Sequence, residues 1–592
     1  MTTTDPDALR ARYREERDKR LRADGNEQYR EITGPLARFA ADPTAGDAPA
    51  RDALHDTVDV LIVGAGFSGL LAAARLRDIG VQRIRLVDDG AAPGGTWYWN
   101  NYPGVQCDIE SYIYFPLLEE LDYIPREKYS YGPEIAEHAR RIALHYRLLD
   151  DAVFRTRVTA MEWDDATAEW VVATDHGDRM RARFVVMATG PLSRPKLPGI
   201  PGIEDFAGHA FHTSRWDYAY TGGDTTGGLV NLRDKRVGVI GTGATAVQCI
   251  PHLGEFAEHL YVFQRTPSSV DARNNRPTDP AWVESLEPGW QQRRIDNFGV
   301  IVTGGHQDED LVADGWTEIL GTLSGLGARD GANSAEEIAA RIELADFTKM
   351  DQIRARVDDI VRDPSTAAAL KPWYRQFCKR PCFHDDYLAT FNRPNVTLVD
   401  TEGKGVERVT ARGVVVDGTE YEVDCLILAT GFEVGTEYTR RAGCDPVGRD
   451  GLRLSDKWGA QVATFHGHLS RGFPNCFFMG GIQSGVSPNF TELYNEQSRH
   501  VAYVIEQVRA AGATRVQPTA EAEQEWLDTL AASNRGRTSF QDQCTPGYYN
   551  NEGRPGEGPG WFGGNYGGGA QAFFRILRDW RADGTLAGLE LT

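Results

Sequence analysis

Val58-Asp59-Val60-Leu61-Ile62-Val63-Gly64-Ala65-Gly66-Phe67-Ser68-Gly69 decides the fold of this chain. An apolar run of strand length stops at Gly-x-Gly-x-x-Gly, and an apolar helix pattern follows over residues 70–76. A second strand-like run over 84–87 then ends on Asp88, nineteen residues beyond Gly69. That order is a βαβ unit built for a dinucleotide. The first glycine makes the turn, the second lets backbone approach a pyrophosphate, and the third lets helix meet strand, while the amides that open the helix bind phosphate charge. Asp88 is placed to accept hydrogen bonds from an adenosine ribose. The expected contacts are Gly64, Gly66, Phe67, Ser68, Gly69 and Asp88.

The same order returns at Arg236-Val237-Gly238-Val239-Ile240, which runs into Gly241-Thr242-Gly243-Ala244-Thr245-Ala246 and then Val247-Gln248. Here the strand-like run 260–263 leads to Gln264-Arg265-Thr266-Pro267, so the position nineteen residues after Ala246 holds Arg265 in place of an acid. A guanidinium grips a ribose 2'-phosphate that a carboxylate would repel. One site suited to ribose hydroxyls and one suited to a 2'-phosphate imply hydride passing between two dinucleotides, which describes FAD and NADPH. Two further strand-like runs, 184–187 and 426–428, each end in Ala-Thr-Gly, at residues 188–190 and 429–431.

These repeats predict an α/β chain with two Rossmann-like dinucleotide-binding domains, the NADP domain inserted in the FAD domain. The FAD domain is expected over 57–194 and 396–592 and the NADP domain over 195–280 and 371–395. A helical insertion is expected over 281–370. Residues 1–56 read as a polar helix over 7–22 and a connector, forming a solvated surface arm. The Gly-rich stretch 553–569 reads as loop.

The chain has 592 residues, 41% hydrophobic and 25% charged, enough for two to four domains with their own cores. Its formal charge of -21 argues against unspecific binding to nucleic acid or an anionic membrane, so any anionic cofactor must be held by local groups. The eight cysteines show no CxxC and no zinc spacing, and they read as reduced cytosolic thiols with no metal site. No apolar signal core and no run of membrane-spanning length is found, which points to a cytoplasmic protein. Nothing calls for an obligate protein partner.

Three longer patterns carry a family resemblance. Phe206-Ala207-Gly208-His209-Ala210-Phe211-His212-Thr213-Ser214-Arg215-Trp216-Asp217 contains FxGxxxHxxx(W)(P/D) intact. On it the chain resembles the class B flavoprotein Baeyer-Villiger monooxygenases, over nearly everything from Val58 to Trp580. Similar flavin N-oxygenases normally lack the Trp-Asp ending, so Trp216 and Asp217 imply ketone oxygenation in preference to amine or sulfur oxidation. His212 takes a domain-coupling role in the family.

Residues 94–108, Gly-Gly-Thr-Trp-Tyr-Trp-Asn-Asn-Tyr-Pro-Gly-Val-Gln-Cys-Asp, match the family's (A/G)GxWxxxx(F/Y)P(G/M)xxxD. By resemblance Gly95, Thr96, Trp97, Tyr98 and Trp99 lie along FAD, while Gln106, Cys107 and Asp108 face the nicotinamide. For Trp99 and Tyr102 plain core packing is an equal reading. Asn101 stands where relatives often carry arginine. Tyr114 and Val158 complete the expected cofactor contacts. In Cys378-Lys379-Arg380-Pro381 the resemblance makes Lys379 an NADP-binding lysine and Arg380 the catalytic arginine.

The implied reaction is NADPH- and O2-dependent insertion of oxygen beside a ketone carbonyl through a flavin peroxide, giving an ester or lactone. Arg380, permanently protonated, is expected to stabilise the developing anions, with Asp108 orienting it and offsetting the cost of its burial. Water exclusion needs a lid, and Tyr548, in Thr545-Pro546-Gly547-Tyr548-Tyr549-Asn550-Asn551, stands for the loop tryptophan of relatives. The polar arm, the connection 220–229 and this tail together resemble the subgroup that accepts bulky or polycyclic ketones, actinobacterial producers of terpenoid lactones among them. A flavin-dependent N- or S-oxygenase is the competing enzyme. A thioredoxin-reductase-like enzyme shares both nucleotide domains but requires the CxxC that is missing. A non-enzymatic FAD/NADP sensor or scaffold would not need Arg380 near the flavin.

Overall fold

A computed structural model of the chain describes residues 5–44, 46, 51–328, 335–459, 461–534, 540–557 and 564–592. Its first sheet runs in the order Ile84–Val87, Thr57–Val63, Arg179–Met187, Glu169–Thr174, Val158–Asp164, with Cys476–Phe478 also parallel to Arg179–Met187. The fingerprint strand is apolar at successive positions because both its faces are covered. Val60 and Ile62 join a core with Leu70 and Leu71 of helix Phe67–Asp78 and with Ile505 of helix Phe490–Ala510. Leu61 and Val63 point the other way, into a core with Met161 and Trp170.

The second sheet is parallel throughout, in the order Val396–Asp400, His259–Gln264, Arg236–Ile240, Cys425–Leu428, His209–His212. This corrects the expected return to the first unit at residue 396. Val396–Asp400 and Cys425–Leu428 both belong to the second sheet, so the chain leaves it only after 428. The Ala-Thr-Gly repeats explain why. Gly64 and Gly241 both have φ +112°, and a Cβ on either would lie 2.4 Å from a carbonyl oxygen, that of Ala188 in one unit and of Ala429 in the other. Each repeat backs its own fingerprint turn.

Between the halves of the second unit, helices form at Pro280–Glu284, Trp290–Val302, Gly315–Ala328, Ala335–Ile360 and Pro364–Leu370, where the helical insertion is expected. The amino-terminal segment is no solvated arm. Helix Pro6–Asp18 is polar overall, yet Leu9 and Tyr13, one turn apart, are buried against Phe347. Arg20 is buried and donates from Nε to the Arg265 carbonyl at 3.0 Å and to Thr266 Oγ1 at 3.1 Å. Tyr29–Arg30 then pairs with Leu197–Pro198. The segment clamps the second unit. In the Gly-rich tail, residues 558–563 lie outside the described residues. Among those described, no helix is long and apolar enough to cross a membrane, and no cluster of metal-ligating side chains occurs.

Candidate active site

The two fingerprint turns open onto one cavity of ≈ 1390 Å³. Gly66 and Gly243 are the N-caps of helices Phe67–Asp78 and Ala244–Phe256, and neither helix has a side-chain cap. Their first N–H groups are thus left for an anion. A Cβ placed on Gly243 would meet nothing within 4 Å, the open space a phosphate needs. These features fit a pair of dinucleotides.

Every expected site residue lines this cavity except Gly69, Tyr98, Ala246 and Val247. Gly69 works behind the wall, where a Cβ would stand 1.9 Å from the Gly64 carbonyl oxygen. Ala246 and Val247 are core residues of the second unit. Tyr98 turns away and donates its hydroxyl to Asp42. Asp88 sits at the strand end with its carboxylate accepting from the N–H of Ala65 at 2.6 Å and of Gly90 at 2.7 Å. Burial, then the neighbouring Asp89, push it up to about 6. It therefore braces the first turn as well as facing the cavity.

Of the Phe206–Asp217 fingerprint, only Arg215 lines the cavity. Its guanidinium lies 3.7 Å from the centre of the Trp99 ring, and burial brings it down to about 10. Trp216 is fully buried, its indole N–H bonded to Thr221 Oγ1 at 3.1 Å. Asp217 caps the following turn through the Tyr220 N–H at 3.1 Å and meets His209 Nε2 at 2.9 Å. His212 is buried beside Ser214 Oγ at 2.8 Å and is pulled down to about 3 by burial and by Arg215. The fingerprint is a structural joint between the units.

The 94–108 segment supplies the cavity's polar wall. Trp97 donates to Tyr114 OH at 2.9 Å. Gln248, from the second unit's helix, donates to the Gln106 carbonyl at 2.9 Å and accepts from Tyr102 OH at 2.8 Å, stitching the units together. Cys107 is pushed up to about 12 by burial, which keeps it a thiol. Asp108 is held between two arginines. Its Oδ2 accepts from Arg380 Nη2 at 3.1 Å, and its Oδ1 accepts from Arg273 Nη2. Trp316, from the helical insertion, donates to the Asp108 carbonyl at 3.0 Å. Burial works against the Arg380 charge, and Asp108 together with Tyr548, Cys382 and Tyr549 offsets it, so the guanidinium is held above its ordinary value.

Lys379 is pushed down to about 8 by burial and by the Arg265 charge. Beside it the reading of all cysteines as reduced thiols is overturned for one pair: Cys378 and Cys544 form a disulfide across 166 residues, with Cα atoms 4.9 Å apart. The other six are free and buried. The bridge ties the Lys379-Arg380 loop to the segment carrying Tyr548, whose ring meets Tyr549 with centroids 4.6 Å apart.

Sequence reasoning misses four residues here. Arg273 has no partner near it in sequence. Trp316 comes from an insertion without a motif. Lys196 and Glu552 meet at 3.2 Å from segments with no shared pattern.

The chain resembles known proteins along its whole length. Residues 58–282 match the family model "Pyridine nucleotide-disulphide oxidoreductase". The chain is 55% identical to neopentalenolactone D synthase of Streptomyces avermitilis, over 99% of both chains. It is 50% identical to a Baeyer-Villiger monooxygenase of Stachybotrys chlorohalonatus, over 99% of this chain and 94% of that one. The solved polycyclic ketone monooxygenase of Thermothelomyces thermophila superposes with a TM-score of 0.92 at 39% identity, covering 99% of each chain. With likeness of that extent along the whole sequence, the chain belongs to the FAD- and NADPH-dependent Baeyer-Villiger monooxygenases, which oxygenate ketones.

Proposed function

We propose that this enzyme oxygenates a bulky polycyclic, terpenoid-like ketone to a lactone, with Arg380 as the fixed cation of the reaction and Asp108 as the residue that aims it. The observation that carries the reading is the Arg380–Asp108 pair on the wall of the ≈ 1390 Å³ cavity, backed by Arg273. The names of two relatives, a neopentalenolactone D synthase and a polycyclic ketone monooxygenase, support a large substrate.

The turn 64–69, Asp88, Thr96, Trp97 and Trp99 would hold FAD. The turn 241–245, Arg265, Thr266 and Lys379 would hold NADPH, in a unit that spans 195–280 and 371–428. When bound, FAD supplies the activation of dioxygen and NADPH the reducing equivalents. Arg380 stabilises negative charge developing at the ketone oxygen and transfers no proton, since a guanidinium stays charged throughout. Asp108 fixes the plane of that guanidinium. Trp316, Tyr548 and the disulfide-tied loop narrow the access of water. Dioxygen and the ketone are the partners this reading requires. A cytoplasmic location belongs to the same reading, with six cysteines free and one pair, Cys378–Cys544, bridged.

The test is mass spectrometry of products from cyclohexanone, a steroid ketone and a tricyclic terpenoid ketone, each with NADPH and oxygen. Gain of one oxygen atom with preference for the polycyclic ketones is expected. Preference for cyclohexanone, or oxygenation only of amines and sulfides, contradicts the proposal.

A further inference from the structure

The end of the second unit's strand His259–Gln264 holds a carboxylate where the sequence calls for a phosphate. Glu552, from the carboxy-terminal loop, is 3% exposed. Its Oε1 accepts from Lys196 Nζ at 3.2 Å, and its Oε2 lies 3.6 Å from Arg265 Nη2. Lys196 also sits over the Tyr29 ring at 4.1 Å, and Arg265 donates to Gln28 Oε1 at 2.8 Å. Lys379 feels the charges of both Arg265 and Glu552. Two cations thus meet one carboxylate and a third lies within reach of its charge, an excess that suits an anion of higher charge. Asn551 and Glu552 have φ of +53° and +56°, conformations that non-glycine residues adopt only when their surroundings impose them.

From this geometry we infer that Glu552 is an internal competitor for the coenzyme's 2'-phosphate site, so that the phosphate, but not an unphosphorylated ribose, displaces it and frees its loop. The inference rests on the assignment of Arg265 to the 2'-phosphate. A phosphomonoester carries close to two negative charges at neutral pH and three strong acceptors, and it cannot share one guanidinium with a buried carboxylate without repulsion. The phosphate wins on charge. Glu552 leads back along the chain to Tyr548, which lines the same cavity as Arg380, so occupancy of the 2'-phosphate site is communicated to the loop beside the reacting carbonyl.

The experiment measures Kd by calorimetry for 2',5'-ADP, NADP+ and NAD+ on the FAD-loaded enzyme, its Glu552→Gln variant and its Arg265→Ala variant. Glu552→Gln is expected to bind 2',5'-ADP and NADP+ about ten-fold more tightly, with NAD+ unchanged. Unchanged or weaker binding of 2',5'-ADP overturns the inference. Equal weakening of NADP+ and NAD+ by Arg265→Ala instead overturns the phosphate-site assignment beneath it. A second readout needs no variant: 2',5'-ADP, and not 5'-AMP, should speed cleavage after Glu552 by the glutamate-specific V8 protease in the wild-type enzyme. Protection or no change at that site contradicts displacement of the loop.

Discussion

Asp108 stands between two arginines, one carboxylate oxygen on Arg380 and the other on Arg273, and only one of the two guanidinia is open to the cavity. The Arg273 side chain is 3% exposed, against 39% for Arg380. Arg273 is locked further by the Phe383 carbonyl, which accepts from its Nε at 3.0 Å, and by the Cys107 carbonyl at 3.2 Å. The carboxylate is thus fixed from behind and presents a rigid acceptor to Arg380.

Arg273→Met should cost about 3 to 5 kcal/mol of stability, because it leaves the buried Asp108 short of a partner. Arg273→Lys should recover part of that loss and less of the oxygenation rate, since an ammonium cannot bond Asp108 and the Phe383 carbonyl in one plane. Urea unfolding beside product formation checks this. A lysine variant with full activity would reduce Arg273 to a structural charge.

Arg265→Ala should weaken NADPH binding about ten-fold or more, on the order of 1.5 to 3 kcal/mol for charge-assisted bonds to the phosphate. NADH binding should change far less. Steady-state KM for both coenzymes is the measurement, and equal losses would place the 2'-phosphate elsewhere.

The disulfide predicts a thiol count. Denatured without reductant, the protein should titrate six thiols with Ellman's reagent, and after reduction all eight. Cys378→Ser should lower stability by about 2 to 4 kcal/mol, the usual range for a bridge closing a long loop, and should uncouple NADPH oxidation from product as the Tyr548 segment loosens. Eight thiols before reduction would contradict the bridge.

His466, His468 and His500 form a buried cluster, the His468 and His466 ring centres lying 5.0 and 6.0 Å from that of His500. Burial pulls His466 down to about 3, His468 to about 4 and His500 well below its ordinary value, with Arg581 adding to the effect on the last two. The folded state favours the neutral rings, so their contribution is complete above about pH 6.5. It is lost as pH falls from there toward 4, by up to about 1.4 kcal/mol per pH unit for each ring. Urea midpoints at pH 7.5, 6.5 and 5.5 should fall steeply in the last step. A flat profile, or one that His468→Gln with His500→Gln does not flatten, contradicts this.

Much of this is legible in the sequence because βαβ geometry fixes its own spacings. The turns at Gly64 and Gly241 and the residues at 88 and 265 follow from order along the chain, whereas the Lys379-Arg380 pair is legible only through the family resemblance. What is hidden depends on meetings across it. Arg273 and Asp108 are 165 residues apart, and no periodicity links them. Glu552 lies in a tail whose glycines carry no pattern. The strand Val396–Asp400 has a pattern that suits either sheet, and only its pairing with His259–Gln264 assigns it. The disulfide escapes notice because cysteine counting in a chain without CxxC favours free thiols. The amino-terminal helix misleads because two buried side chains, Leu9 and Tyr13, outweigh a charged surface.

The central claim is that Arg380 serves oxygenation and not reduction of the flavin, and Arg380→Ala separates the two. Anaerobic stopped-flow mixing with NADPH should bleach the flavin at a rate within a few-fold of wild type. Under oxygen, the yield of lactone from a polycyclic ketone should fall on the order of a hundred- to a thousand-fold, the typical loss for one preorganised donor to a developing anion. Near-normal lactone formation by Arg380→Ala, with Asp108 still in place, would contradict the account.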